Sequence, residues 1–217
     1  MRVLSPEDLA AQLRHPHGAP ALAVAESMNR SNGALNHAAI ALLAPAANEQ
    51  VLEIGPGNAA FAATLLQAPG TRYLGIELST AMVDAATALL RSRGLHARAA
   101  VRRGDVHALP LDAGCIDAAL AVNTLYFWED LTQPFAELAR ALRPGGRLCL
   151  AFGDAVFMRS LPFAAHGFHL HDLATVEQAL RRAGLPVQAW RAHRETGHSN
   201  DGRQIEKHFH LLCAQRR

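Results

Sequence analysis

The chain is poor in cysteine. Three are present, Cys115, Cys149 and Cys213, far apart and with no CxxC pair. An odd, dispersed count gives no disulfide framework. The expectation is inert thiols buried in or beside strands, in a reducing compartment such as the cytoplasm. Charge of one sign is also scarce: 21 lysines and arginines face 19 acidic residues, a net charge of +2. That balance is too weak to suggest a nucleic-acid groove. No stretch approaches the roughly 20 apolar residues of a membrane span. The opening "MRVLSPEDLAAQLRHPHG" has no apolar core of signal-peptide length. Internal repeats and low-complexity tracts are missing, although alanine is abundant. There is no elbow-type GxSxG and no Asx-Pro-Pro-aromatic run.

What is present is a globular composition, half hydrophobic and 18% charged, on 217 residues. That is enough chain for one sizeable core. The twelve histidines make the net charge rise steeply below about pH 6.5. "SPEDLAAQL" opens a helix, with Ser5 as N-cap, Pro6 at the first helical position, and Glu7 and Asp8 at the positive helix end. "HPHGAP" breaks it, and a second helical region covers part of 20–44, stopping near Pro45. Residues 1–45 are thus expected to form an N-terminal helical segment, and 46–217 the main domain.

From residue 50 strands and helices alternate. "QVLEIG", "RYLGIE", "ARAAV", "IDAALAV" and "GRLCLAF" read as strands. "AAFAATLLQ", "STAMVDAATALLRSRG", "PFAELARAL" and "DLATVEQALRRAG" read as helices. Ser79 caps the second of these helices, Met82, Val83, Ala86 and Leu90 line one face of it, and Gly94 ends it. "PVQAWRAH" and "KHFHLLCAQ" close the chain as an antiparallel pair at the sheet edge, because only "RETGHSNDGRQIE" joins them. The order implies an α/β fold, a mostly parallel sheet covered on both faces. Ligands in such sheets sit at the carboxyl ends of the strands.

The stretch "VLEIGPGNAAF", residues 51–61, is a glycine-rich turn after the first strand. Gly55 and Gly57 allow a ligand to approach the backbone closely. The third glycine of a dinucleotide fingerprint is missing, since position 60 is alanine. Glu77 ends the second strand, where a carboxylate can accept both hydroxyls of a ribose, in NAD or in another adenosine ligand. Glu53, two residues before Gly55, can fix backbone N–H groups of the loop or reach a ligand amine through water. Asp105, in "RRGDVHALPL", can accept from an adenine amino group. "LRPGGRL" makes a sharp turn before the fifth strand.

Taken together, "VLEIGPGNA", "YLGIELSTAMVDAA", "RRGDVHALPL", "IDAALAVNTLYFW" and "ELARALRPGGRLCLAF" resemble the successive motifs of class I S-adenosylmethionine (SAM)-dependent methyltransferases. The nearest likeness is to the ubiquinone/menaquinone-biosynthesis type and its small-molecule-modifying cousins. It covers residues 50–153 in register and 172–214 more loosely. It implies a Rossmann-like seven-stranded, mostly parallel sheet, with helices on both faces and an antiparallel last strand. It also implies SAM as cofactor, bound by the 46–217 domain. Gly55 and Gly57 would pack against the methionine part, with Glu53 helping to hold the amino group. Glu77 would bind the ribose, Leu78 would lie against adenine, and Asp105 would meet the adenine amino group beside a Val106 backbone N–H. Met82 joins the cofactor set, and Asn123 would face the methionine end and the substrate. A third glycine common at position 59 is here Ala59. A carboxylate at Glu53 would repel a pyrophosphate, which favours SAM over NAD.

The expected activity is methyl transfer to a small molecule, on oxygen or carbon ahead of nitrogen. The alternatives are a SAM-binding protein without catalysis and a nucleotide-dependent oxidoreductase. In-line displacement needs no covalent enzyme intermediate, so no triad is expected. Asn123, Tyr126 and Trp128 follow the fourth strand, where an acceptor should be held; the plainer reading is that Tyr126 and Phe127 cover the sheet edge. His166, His169 and His171 precede the last helix. His169 is the candidate general base, with solvated loop residues as the plainer reading and metal binding the remotest. His208 and His210 share a strand face as structural or exposed residues, and His107 is an exposed neighbour of the adenine loop. Met28, Asn29 and Asn32 lie in a segment that either forms a lid over the pocket or extends the core. The expected partner is a small-molecule substrate, with no metal, no nucleic acid and no membrane insertion.

Overall fold

The computed structural model describes residues 4–198 and 204–217. Its centre is one seven-stranded sheet. The strands are β1 (Gln50–Ile54), β2 (Arg72–Glu77), β3 (Ala99–Arg103), β4 (Ile116–Val122), β5 (Leu142–Gly153), β6 (Val187–His198) and β7 (Gln204–Gln215). Their spatial order is β3-β2-β1-β4-β5-β7-β6. The first five run parallel. β7 enters antiparallel between β5 and β6, so the chain's last strand is the reversed one.

Alternation along the strands builds the core. Leu52, Ile54, Leu74, Ile76, Leu148 and Leu150 face one apolar layer, which is completed by the helices at Thr132–Ala141 and Leu173–Arg182. Val51, Tyr73, Val101, Cys149 and Ala151 face the other. It is covered by α3 (Gly33–Leu43) and α5 (Thr80–Ser92). Residues before position 46 also include α1 (Pro6–Arg14) and α2 (Ala21–Ser31). Ser5 caps α1 by accepting the Asp8 N–H. Leu35, Ala39, Ile40 and Leu43 of α3 are buried against the sheet, so this helix belongs to the sheet's own packing. Arg147 on β5 fastens its end by donating to the Leu43 and Ala44 carbonyls and to Glu49.

Local structure departs from the sequence expectations in four places. The helix after the glycine turn shortens to α4 (Ala62–Leu65), because Ala59 takes a left-handed φ of 56° and prolongs the turn. The "PGG" segment lies inside β5 as a bulge: Ile116 pairs with Leu142, but Ala118 pairs with Arg147. The last two strands run well into "RETGHSNDGRQIE", whose middle, 199–203, lies outside the described residues. Cys115 is exposed, whereas Cys149 is buried and Cys213 half-buried, so burial does not hold for all three thiols. Among the described residues no helix is long and apolar enough to cross a membrane.

Candidate active site

A cavity of about 510 Å³ opens at the carboxyl ends of the parallel strands. Its walls differ from side to side. Where β1 and β2 end, the groups are backbone and carboxylate. Gly55, at φ 64°, donates its N–H to the Ile76 carbonyl across the strand pair. A Cβ there would come within 2.5 Å of Thr124 Cγ2. At Gly57 (φ 56°) nothing lies within 4 Å of such a Cβ, so its backbone is open to a ligand.

Glu77 holds this loop. Its Oε2 accepts the Gly57 N–H at 3.0 Å, and its Oε1 accepts the Ser79 N–H at 2.9 Å. Burial raises its pKa, while the N–H groups of Ser79, Gly57 and Leu78 and the charge of His15 work the other way. The loop-fixing role expected of Glu53 is therefore Glu77's. Glu53 lies on the Tyr73 face of the sheet and accepts that phenol's hydrogen bond at 2.7 Å. Gly75, its neighbour in register on β2, makes this possible. A Cβ there would sit 3.0 Å from the Tyr73 hydroxyl and 2.8 Å from Pro56. Burial lifts the Glu53 carboxyl to about 7, the Tyr73 bond opposes that, and the charge of Glu77 adds to it. Glu53 is thus partly protonated at neutral pH, and its argument against a pyrophosphate weakens.

Leu78 is exposed beside this end, and Met82 is fully buried in the cavity wall. Asp105 is exposed at the end of β3, accepting the His107 N–H at 2.9 Å, and Val106 is buried. The N-terminal helices close the same end. Ser79 Oγ donates to the Pro16 carbonyl, and Asn29 Nδ2 donates to Asn58 Oδ1 at 2.9 Å. Met28, Asn29 and Asn32 all line the cavity.

Where β4 and β5 end and β7 begins, the wall is aromatic. Phe168 is its hub, 4.9 Å from Phe127, 5.5 Å from Phe163 and 5.6 Å from Tyr126 between ring centres. Phe157 and Phe209 extend it. Lys207 contributes its stem. Its ammonium donates to Ser31 O, Ser31 Oγ and Glu195 Oε1, which together occupy its protons.

Of the sequence candidates, Glu53, Gly55, Gly57, Met82, Asn123 and Tyr126 line the cavity, whereas Glu77, Leu78, Asp105, Val106, Trp128 and His169 do not. Trp128 turns into the core against Phe135, 5.8 Å away. His169 uses its backbone N–H to bond the Tyr126 carbonyl at 2.8 Å, and its ring is outside the cavity wall, so the structure does not place it as a base. His171 bonds the Trp128 carbonyl, and His166 is exposed. Among the described residues no histidine lines the cavity, and no three metal-ligating side chains gather. His210 bonds Asp154, and His208 stacks on Phe157. Sequence reasoning misses Tyr73, Gly75 and the phenylalanines. Only Gly75 carries a signal, a glycine inside an otherwise apolar strand.

Residues 52–150 match the family model described as a methyltransferase domain, and they carry the central strands of this sheet. The match covers 99 of the 217 residues, a little under half of the chain. The chain is 33% identical over 105 residues to methyltransferase GfsG of Streptomyces halstedii, covering 48% of this chain and 38% of that protein. It is 28% identical over 124 residues to the uncharacterized methyltransferase YdaC of Bacillus subtilis, covering 57% and 66%. It therefore spans less than two thirds of the length of these relatives. A geranyl diphosphate methyltransferase solved in complex with SAM has the same fold, with a TM-score of 0.73 at 18% identity over 95% of this chain and 94% of that one. The likeness to the quinone-biosynthesis type is minor beside these. The backbone at Gly57 is open to the cavity, and Glu53 lines the same end.

Proposed function

We propose that the protein transfers a methyl group from SAM to a small-molecule acceptor, on oxygen or carbon. The observation that carries this reading is the Glu77 bridge. One buried carboxylate pins Gly57, which lines the cavity, to the start of α5. Each carboxylate oxygen keeps lone-pair capacity for a ribose hydroxyl. Leu78, Asp105 and Val106 would flank the adenine, and Glu53 with Met82 and Asn123 would enclose the methionine end. SAM supplies an electrophilic methyl group. The chain supplies alignment and exclusion of water.

The aromatic wall would hold the acceptor. α1 and α2 would cover the cofactor as a lid through Pro16 and Asn29. Three free thiols suit a reducing cytoplasm. Calorimetric titration with SAM and S-adenosylhomocysteine, with NAD as control, tests the reading. Micromolar binding of the two sulfur ligands alone is expected, and binding of NAD alone, or of none of the three, contradicts it.

A further inference from the structure

The orientation of one amide bears on the acceptor, given the methyl-transfer reading on which the inference rests. The Tyr126 hydroxyl has one proton and two lone pairs. The Gly153 N–H donates to its oxygen. Its proton goes to Asn123 Oδ1 at 3.0 Å. Gly153 ends β5 and Asn123 follows β4, so this network locks the ends of two neighbouring strands. With its oxygen taken by Tyr126, the Asn123 amide offers N–H donors to the cavity it lines. The backbone φ of 56° at Asn123 is a left-handed turn that asparagine tolerates better than most residues. Asn123 stands between the glycine loop on one side and the Phe127–Phe168 pair on the other.

We infer that the acceptor is an apolar weak acid, a phenol, enol or carboxylic acid, methylated on an ionised oxygen that accepts a hydrogen bond from Asn123. The phenylalanine wall takes the apolar body. The amide N–H occupies one oxygen lone pair and leaves another aimed at the methyl group, so its contribution is alignment. An ammonium in the same place sets donor against donor. In the step itself the acceptor has already lost its proton to water. The oxygen lone pair forms the O–C bond while the C–S bond breaks and its electron pair goes to sulfur. Anion and sulfonium become an uncharged ether or ester and an uncharged thioether. Tyr126 is a positioning residue here: its proton is committed to Asn123, and burial pushes its pKa up, with the Gly153 N–H opposing.

The test uses three probes on one ring system, 1-naphthoic acid, 1-naphthol and 1-naphthylmethylamine. Binding to the protein loaded with S-adenosylhomocysteine is measured by calorimetry, and transfer from methyl-labelled SAM by product analysis. The acid and the naphthol are expected to bind at least about tenfold tighter than the amine, with label on oxygen. Asn123→Asp keeps the left-handed turn but replaces donors by an anion, and reverses the order. Tyr126→Phe frees the amide to rotate, so the ratio of acid to amine binding falls while SAM affinity stays within about twofold. A merely structural tyrosine would lower both ligands alike. Three results overturn the inference while SAM still binds. They are equal or tighter amine binding by the native protein, no binding or methylation of any probe, and an unchanged ratio in Asn123→Asp. Failure of S-adenosylhomocysteine to bind overturns the wider reading instead.

Discussion

The two halves of the cavity are built by different means. At the ends of β1 and β2 the wall is backbone, held by the buried carboxylate of Glu77, and its polar groups already have geometry before any ligand arrives. Where β4 and β5 end and β7 begins, the wall is a set of aromatic rings, Phe127, Phe163 and Tyr126, meeting edge to face or tilted around Phe168. Hydrogen bonds fix direction, so the first half suits one ligand of defined shape. Ring packing is less directional, so the second half selects by polarity and size, and the Asn123 amide between them adds one oriented contact. The proposed cofactor and the proposed acceptor call for that division.

The largest effect should come from Glu77→Ala. It strands the Gly57 and Ser79 N–H groups and removes the proposed ribose partner. Two buried donors left unpaired cost stability at about 1–3 kcal/mol each and free the glycine loop, so micromolar SAM binding should disappear by calorimetry. The next effect is a pH dependence confined to the same half. Burial holds Glu53 at about 7 in the folded chain, against about 4.3 unfolded. Between those values the folded state keeps a proton that the unfolded state has lost. The stability from this group is therefore full below about pH 4.3 and falls as the pH rises to about 7, by roughly 4 kcal/mol. The difference in urea stability between the native protein and Glu53→Gln should follow that slope, and a flat difference would show that Glu53 holds no such proton.

A smaller effect separates the two glycines. Gly55→Ala meets Thr124 in a left-handed turn, whereas Gly57→Ala meets open space at a similar φ. Both bear about 1–2 kcal/mol of backbone strain, and Gly55→Ala adds overpacking of about 1–3 kcal/mol. Thermal melting should therefore fall further for Gly55→Ala, while Gly57→Ala loses more SAM affinity than its stability loss explains. The smallest effect is on SAM binding in Phe168→Ala, within about twofold, because that ring belongs to the other half. An equal loss in Phe168→Ala and Glu77→Ala would erase the distinction between the halves.

The same division explains what can be read from the sequence. Gly55, Gly57, Glu77 and Asp105 follow strands whose apolar runs are plain, and a strand end in an open α/β sheet is already a site candidate. The parallel strands and the antiparallel pair at the edge are legible for the same reason, since alternation and the short link between the last two strands constrain topology. Glu53 is legible as a residue but not as a partner. Its bond to Tyr73 depends on the missing side chain of Gly75 in the neighbouring strand, which requires the register. The aromatic half is hardly legible. Phe127, Phe157, Phe163 and Phe168 come from irregular segments and short turns of helix with no periodicity to mark a face. His169 stands out by its chemistry, while the chain uses its backbone N–H to pin the segment beside Phe168.

One calorimetric series tests the division most directly: S-adenosylhomocysteine titrated into the native protein, Phe168→Ala and Glu77→Ala. Similar micromolar binding by the first two and none by the third is expected. Retained binding in Glu77→Ala, or its loss in Phe168→Ala with folding intact, would show that the two halves do not divide the work in this way.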